Sequence, residues 1–256
     1  MSKSPEPSSL VRLRRLFRRA CADYSLLSDG DRVLVALSGG KDSLVLARLL
    51  ADQRRILKPR IEVEAAHVIM DNIPYETDRS YLEAYCASLG LPLHILHTSF
   101  DDSEAAPSDT LAARRRKTKC FLCSWNRRKA LFSFASAEGF NKVALGHHQD
   151  DVIVTFLMNL TYEGSLHSIT PSMPMRHYPL TVIRPLYLAP EPLIRELAVS
   201  LGLAKQKTPC PYETATKRDA MTQFFETLQR HNAEARYSIW SALRGREGGA
   251  DPHDAD

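Results

Sequence analysis

The stretch that decides the fold is Val33-Leu-Val-Ala-Leu-Ser-Gly-Gly-Lys-Asp-Ser-Leu-Val-Leu-Ala-Arg-Leu-Leu50. Its first five residues are apolar and predict a strand that is buried on both faces. After a short turn, apolar residues recur at helical spacing, so the turn lies at the start of a helix. The turn residues Ser38, Gly39 and Gly40 allow backbone N–H groups to converge on an anion, the helix dipole favours negative charge there, and Lys41 adds a cation. The stretch therefore predicts a phosphate-binding site.

The obvious comparison is a Walker A loop, which needs Gly-x-x-x-x-Gly-Lys-Ser/Thr. Val35 occupies the position of the first glycine, and Asp42 rather than Ser or Thr follows the lysine. The pattern Ser38-Gly-Gly-Lys-Asp-Ser43 resembles instead the pyrophosphate loop of the PP-loop ATP pyrophosphatases. Those enzymes cleave ATP to AMP and pyrophosphate while they activate a carbonyl oxygen. A plain glycine turn with a surface lysine is the alternative without a function.

Composition and length describe an ordinary globular chain. Of the 256 residues, 44% are hydrophobic and 25% are charged, and no apolar run approaches the ~20 residues of a membrane-spanning helix. The net charge of +4 argues only weakly for an anionic partner. The N-terminus lacks the apolar core of a secretory signal, and five cysteines are an odd number for a disulfide framework. We therefore expect a cytoplasmic protein in which Cys120 and Cys123 bind metal or do redox chemistry.

Strand and helix patterns alternate along most of the chain and predict an α/β fold. The predicted sheet is doubly wound, mainly parallel and five-stranded, with helices on both faces and further helices at both ends of the chain. Its strands are residues 33–37, 61–71, 92–98, 142–146 and 181–184. Residues 162–179 contain three prolines and are expected to form a loop over the site. We expect one domain over residues 11–245, with disordered tails at 1–10 and 246–256.

Positive charge is concentrated in two segments. The helical pattern of residues 11–20 places five arginines around an apolar stripe, and residues 114–129 carry eight positive charges and no acid. Such segments are often only solvated faces, and an arginine-rich N-terminal helix is also compatible with organelle targeting. A block of this kind can bind RNA phosphates, with Phe121 and Trp125 stacking on unpaired bases. The candidate RNA contacts are Arg15, Arg19, Arg115, Arg116, Lys119, Arg127 and Arg128.

A second polar turn follows the predicted strand 142–146. It begins at Gly146 and continues with His147-His-Gln-Asp-Asp151 into another helix. Asp150 and Asp151 are candidates for binding magnesium on ATP, or they simply begin the helix as its dipole favours. The adjacent histidines could contact phosphate or substrate, but they lack the spacing of zinc ligands on a helix face.

With these sites in hand, the chain resembles the tRNA 2-thiocytidine synthetase (TtcA) family of PP-loop enzymes from about Leu16 to Trp240. The matching pieces are Gly30-Asp-Arg-Val-Leu-Val-Ala-Leu-Ser-Gly-Gly-Lys-Asp-Ser43, Cys120-Phe-Leu-Cys123 with Arg127-Arg128, Ala144-Leu-Gly-His-His-Gln-Asp-Asp151, Ile183-Arg-Pro-Leu186 and Pro209-Cys210. The resemblance implies a [4Fe-4S] cluster held by Cys120, Cys123 and Cys210. Three thiolates leave one iron without a protein ligand, which suits a catalytic centre, whereas zinc with a fourth ligand is the competing interpretation.

One position departs from the family pattern. Many members carry a further cysteine three residues after the position of Cys210, where this chain has Glu213. The departure argues against a fourth cysteine ligand and leaves the three-cysteine arrangement intact. It also leaves open whether the usual nucleoside is the substrate.

The resemblance implies adenylation of the C2 oxygen of a tRNA cytidine, followed by displacement of AMP by a sulfide carried on the cluster. The implied catalytic residues are Lys41, Asp42, Asp151, Cys120, Cys123 and Cys210, with Asp42 and Asp151 holding Mg²⁺. The implied nucleotide contacts are Ala36, Ser38, Gly39, Gly40, Lys41, Asp42, Ser43, Met70, Gly146, His147 and Asp150. The implied partners are tRNA, ATP, a sulfide donor such as a cysteine desulfurase, and a second copy of the chain. A uridine thiolase, a lysidine-type ligase and a non-catalytic RNA- or nucleotide-binding protein are the alternatives.

Overall fold

The computed structural model describes residues 6–73, 78–101, 119–204 and 217–247. The chain divides into two compact units, of which one comprises Met1–Gln149 and Thr170–Glu213 and the other comprises Asp150–Ile169 and Thr214–Asp256. The single domain over 11–245 stays a prediction. Residues 8–10 and 246–247, which were expected to be disordered, belong to helices. Ser9 and Leu10 are buried, so this part of the first helix is fixed by packing.

The first unit is built on one six-stranded sheet. The strands are β1 Arg32–Ala36, β2 Glu62–Met70, β3 Leu93–Thr98, β4 Lys142–Ala144, β5 Ser172–Pro174 and β6 Thr181–Ile183. Their order is β3-β2-β1-β4-β6-β5, and every pair is parallel except β5 with β6. The predicted α/β class and mainly parallel sheet are confirmed. The predicted count of five strands was wrong, because β5 is a three-residue edge strand ending in a proline, inside the segment expected to be a loop.

Of the eight α-helices in the described residues, five belong to the first unit and three belong to the second, apart from one residue. The first unit holds α1 Ser8–Asp23, α2 Lys41–Arg54, α3 Arg79–Leu89, α4 Lys119–Ala137 and α6 Glu191–Ser200. The second unit holds α5 Gln149–Met158 except for its first residue, α7 Lys217–His231 and α8 Ala235–Glu247. A π-helical turn, Asn159–Glu163, continues α5 and ends at Gly164. Among the described helices, none combines the length and apolar composition that a membrane crossing requires.

The strand order fixes where a site can form. From β1 the chain moves outward to β2 and β3, and it then returns through α4 to β4 on the other side of β1. Right-handed crossovers place α2 and α3 on one face and α4 on the opposite face. The order therefore reverses between β1 and β4, and the crevice at the carboxyl ends of those two strands is where doubly wound sheets bind ligands.

The core between α4 and the sheet is continuous and apolar. Leu34, Ala66, Val143 and Val182 supply one residue from each of four neighbouring strands, and Leu131, Phe132 and Ala135 of α4 pack against them. The alternate residues Val33 and Val35 are fully buried on the other face. Burial on both faces explains why β1 appears in the sequence as an uninterrupted apolar run.

Candidate active site

The loop between β1 and α2 is held together by two serine side chains. Ser43 is buried, and its hydroxyl accepts a hydrogen bond from the Ser38 N–H at 3.1 Å and donates to the Gly40 carbonyl at 2.8 Å. The Ser38 hydroxyl lies 3.1 Å from the same oxygen. Gly39 has a φ of +83°, a conformation that favours glycine. The loop is therefore shaped at the N-terminus of α2, where N–H groups and the helix dipole attract phosphate.

Lys41 is oriented by two carboxylates. Its Nζ donates to Asp42 Oδ1 at 2.9 Å and lies 3.1 Å from Glu191 Oε1, at the start of α6. Burial lowers the pKa of Lys41, but the two carboxylates outweigh burial and the net shift is upward. Burial raises the pKa of Glu191, and hydrogen bonds from Arg195 and Lys41 reverse this, so its net pKa is lowered. Lys41 is thus a fixed cation beside the loop.

The turn after β4 closes against the same loop. A Cβ at Gly146 would lie 3.2 Å from the backbone of Asp42 and Ser43, so a side chain there would require this backbone to shift by a few tenths of an ångström. His148 is buried, with its Nε2 3.7 Å from Asp42 Oδ1. The structure therefore brings together two turns that are a hundred residues apart in sequence, as the fold prediction required.

His147 belongs to a neighbouring cluster on the same turn. Arg184, which follows β6, donates from Nε to His147 Nδ1 at 3.3 Å and from its terminal NH1 group to the Thr170 carbonyl at 2.6 Å. Arg184 is buried, and burial lowers its pKa. The guanidinium thereby joins the turns that follow β4 and precede β5.

Two further residues predicted to contact the nucleotide lie at the carboxyl ends of β1 and β2. Ala36 and Met70 are the last residues of these strands. His67, which was not predicted as a site residue, is buried on β2 with its Nδ1 2.6 Å from the Leu37 carbonyl. Burial lowers the pKa of His67 despite this hydrogen bond. The imidazole is therefore a buried support for the residue that precedes Ser38.

Helix α4 carries the cysteine pair at the same edge of the sheet. Arg32, at the start of β1, donates to the Glu138 carbonyl just after α4, so this helix ends at the amino edge of the sheet. Its 19 residues span about 28 Å, and its first turn therefore lies at the carboxyl edge, where the loop after β1 is. Cys120 is exposed and Cys123 is half-buried in that first turn.

Cysteines three apart on a helix share one side of it, and thiolates are the usual ligands of iron–sulfur clusters. Of the three proposed cluster ligands, Cys120 and Cys123 lie in the described part of the chain, and their spacing suits cluster binding. Cys210, Arg115 and Arg116 lie outside the described residues. Within the described ranges, no group of three or more His, Cys, Asp and Glu side chains is placed to hold a metal.

The remaining RNA candidates lie on two helices of the first unit. Lys119, Arg127 and Arg128 are on α4, which contains no Asp or Glu, and Arg128 is exposed. Arg15 and Arg19 are exposed on α1, and Arg19 forms a 3.3 Å ion pair with Asp23. An exposed pair of this kind contributes little to stability and leaves the arginine accessible to a phosphate.

Within the second unit, Asp150 and Asp151 lie in the first turn of α5 and meet arginines. Arg236 of α8 donates to both oxygens of Asp150, at 2.8 and 2.6 Å, and Arg218 of α7 pairs with Asp151. Mg²⁺ prefers oxygen ligands such as carboxylates, so the side chains of Asp151 and Asp42 are of the right chemical type to bind it. Each of them already faces a side-chain cation.

Three residues of the site escaped the sequence prediction. Glu191 directly follows a proline at the start of a helix, where an acid is normally explained by the dipole alone. Arg184 lies in the motif Ile183-Arg-Pro-Leu186, but no function was predicted for it from the sequence. His67 lies within an apolar strand pattern. A polar residue inside a predicted buried strand is the signal that could have identified His67.

Comparison with known proteins supports both the fold and the phosphate loop described above. A family described as a PP-loop domain matches residues 10–220. The doubly wound sheet and the loop Ser38–Ser43 at its reversal point therefore define the class, which is that of the PP-loop proteins.

Curated relatives narrow the class to a family. The tRNA-cytidine(32) 2-sulfurtransferase of Pelobacter propionicus is 34% identical over 236 residues, which cover 91% of this chain and 84% of that protein. The enzyme of the same name from Bdellovibrio bacteriovorus is 38% identical over 192 residues, 73% of this chain and 70% of that protein. The chain belongs to the tRNA 2-thiocytidine synthetase (TtcA) family.

One solved structure is similar over nearly the whole chain. It is the U34-tRNA thiolase NcsA from Methanococcus maripaludis with its [4Fe-4S] cluster. The two chains are 26% identical with a TM-score of 0.74, covering 95% of this chain and 80% of the other.

Proposed function

We propose that this protein is an ATP-dependent, iron–sulfur-dependent tRNA sulfurtransferase that converts a cytidine of tRNA to 2-thiocytidine. The observation that carries the proposal is the placement of Cys120 and Cys123 at the same edge of the sheet as the phosphate loop. ATP activation alone would serve ligation and thiolation equally well. A cysteine pair at the same edge of the sheet as the loop favours sulfur transfer. The curated relatives with this activity and the cluster-containing tRNA thiolase support the same conclusion.

The first step is activation of the base. The C2 oxygen of cytidine forms a bond to the α-phosphorus of ATP, and the bond from that phosphorus to the bridging oxygen of pyrophosphate breaks. Negative charge grows on the leaving pyrophosphate, so the loop N–H groups and Lys41 stabilise the transition state. Glu191 holds Lys41 in position for this task, and Asp42 and Asp151 are the proposed Mg²⁺ ligands.

The second step replaces the activated oxygen by sulfur. Sulfide adds to C2, and the C2–O bond breaks with loss of AMP. Cys120, Cys123 and Cys210 would hold a [4Fe-4S] cluster, which would carry sulfide from an external donor for this step. The protein's own contribution is to bring C2 of the base to the cysteine-bearing end of α4 and to hold the RNA backbone with the cations of α1 and α4. A cysteine desulfurase as sulfide source, a homodimer and a cytoplasmic location complete the proposal.

The test is nucleoside mass spectrometry of tRNA after anaerobic reaction with ATP, Mg²⁺ and sulfide. We expect 2-thiocytidine with the wild-type enzyme and none with Cys120→Ala or Lys41→Ala. Cys21→Ala, a half-buried cysteine on α1, is the matched control and should retain activity. Anaerobically reconstituted wild-type protein should also show the visible absorption of an iron–sulfur centre, which Cys120→Ala should lose.

The outcomes separate the alternatives. A thiolated uridine would keep the chemistry and replace the substrate, and pyrophosphate release without any thionucleoside would indicate a lysidine-type ligase. A colourless protein with stoichiometric zinc would exclude the cluster. Absence of RNA-dependent pyrophosphate release would leave a binding protein without catalysis.

A further inference from the structure

Two aromatic rings lie side by side on the surface of α4. The relative exposures of Phe121 and Trp125 are 43% and 53%, and their planes differ by only 11° with centroids 6.3 Å apart. The residues are four apart in sequence and therefore share one side of the helix. Large aromatic side chains normally pack into a core, and an exposed parallel pair is typical of a surface that receives a flat ligand.

The surroundings of the pair are cationic. Arg128 lies on the same helical side, and its Nε donates to the Ser124 carbonyl at 3.1 Å, which holds the guanidinium along the helix. Lys119 and Lys129 are on the same helix, and α4 contains no Asp or Glu. An apolar protein partner would gain nothing from this charge, and a second copy of the chain would bring like charges together. A polyanion that carries flat rings matches both properties.

We propose that Phe121 and Trp125 form a stacking platform for an unpaired base of the RNA substrate, with Arg128 on the adjoining phosphate. The inference rests on the proposed function and specifies how the RNA is held. Bases inside a duplex present only their edges, whereas splayed bases of a loop expose their faces to aromatic side chains. The platform therefore selects single-stranded RNA, and it occupies the same turns of α4 as Cys120 and Cys123.

The test is a comparison of two RNA probes by fluorescence anisotropy with the full-length protein. One probe is a labelled stem–loop, and the other is a fully paired duplex of the same length. Trp125→Ala should weaken stem–loop binding by about tenfold or more and leave duplex binding unchanged. Trp125→Phe keeps an aromatic face and should restore most of the affinity. Arg128→Ala should weaken both probes and reduce the salt dependence of binding.

A matched control is available on α7, where Phe224 is also an exposed helical aromatic, with 48% relative exposure. Phe224→Ala should bind both probes like the wild type. Because Trp125 is on the helix surface, its substitution should leave the thermal unfolding midpoint unchanged, and this is checked first. A Trp125→Ala protein with a lowered midpoint is replaced by Phe121→Ala, for which the same probe-selective loss is expected.

The proposal is overturned if Trp125→Ala binds the stem–loop normally, or if it loses both probes equally. It is also overturned if sedimentation shows that Trp125 substitution disrupts a dimer and that only the dimer binds RNA. The thiolation assay is independent of these results. If the wild type thiolates tRNA and Trp125→Ala binds RNA normally, only the stacking platform is contradicted. If binding depends on Trp125 but no thiolation occurs, only the proposed function is contradicted.

Discussion

His67 places a neutral imidazole beneath the residue that precedes the phosphate loop. A carbonyl cannot donate, so the Nδ1 that faces the Leu37 carbonyl carries the proton. Burial lowers the pKa of His67 in the folded state, whereas the unfolded chain has the ordinary value of about 6.5. As pH falls below that value, the unfolded state takes up a proton that the folded state does not, so the free energy of unfolding decreases.

We expect His67→Asn, which keeps a donor for the Leu37 carbonyl, to flatten the loss of stability below about pH 6.5. Urea unfolding across the pH range from about 5 to 7 measures this. His177→Asn, at an exposed histidine, is the control and should keep the wild-type slope. An unchanged slope in His67→Asn would show that other groups cause the pH dependence.

Glu191 offers a kinetic prediction at the same scale. Its carboxylate orients Lys41 and also competes with phosphate for it, so Glu191→Gln should lower kcat by about ten- to hundredfold without raising KM for ATP. Pyrophosphate release with saturating tRNA gives both constants. Glu196→Gln, an exposed acid on the same helix, should behave as the wild type. A raised KM with normal kcat would instead make Glu191 a determinant of ATP binding.

Among the elements, α5 shows how a helix terminus is fixed by its neighbours within the second unit. The bidentate pair between Asp150 and Arg236 is largely shielded from solvent, and the Arg236 guanidinium also lies 5.2 Å from the Phe225 ring centre. A double-mutant cycle of Asp150→Asn and Arg236→Ala should give a coupling of about 1–3 kcal/mol in urea unfolding. The exposed pair Arg19–Asp23 should give about 0.5 kcal/mol or less. Equal coupling energies would mean that shielding from solvent does not strengthen the Asp150–Arg236 pair.

Elements with strong periodicity were predictable from sequence, and those fixed by distant contacts were not. Helix α7, Lys217–His231, is one of the helices expected near the C-terminal end, and its buried residues Met221 and Phe225 recur at helical spacing. Strand β5 has three residues and depends on pairing with β6, and the π-helical turn at Asn159–Glu163 has no local signature. In the site, the loop was recognisable as one continuous motif. The contact of Lys41 with Glu191 was not, because it joins residues that are far apart in sequence.

For the molecule as a whole, the distribution of charge matters more than the net charge of +4. If the arginines of α1 contact RNA phosphates, the double substitution Arg15→Ala and Arg19→Ala should reduce the slope of log affinity against log salt by roughly 1.4 to 1.8. Filter binding of tRNA at several salt concentrations measures it. Arg176→Ala, an exposed arginine outside both helices, is the control. An unchanged slope would show that Arg15 and Arg19 do not contact RNA phosphates.

The backbone contact at Gly146 has a consequence for the energetics of nucleotide binding. Gly146, two residues after β4, lies against the backbone of the first turn of α2 without an intervening side chain, and the serine hydrogen bonds hold the loop between β1 and α2. We infer that a nucleotide docking here meets a loop that is already held in shape, so that little conformational entropy of the protein is lost on binding. We therefore expect calorimetry of ATP binding to show a small entropic penalty. Binding energy is then not consumed in ordering the loop, and only those loop contacts that strengthen as charge grows on the departing pyrophosphate accelerate the reaction.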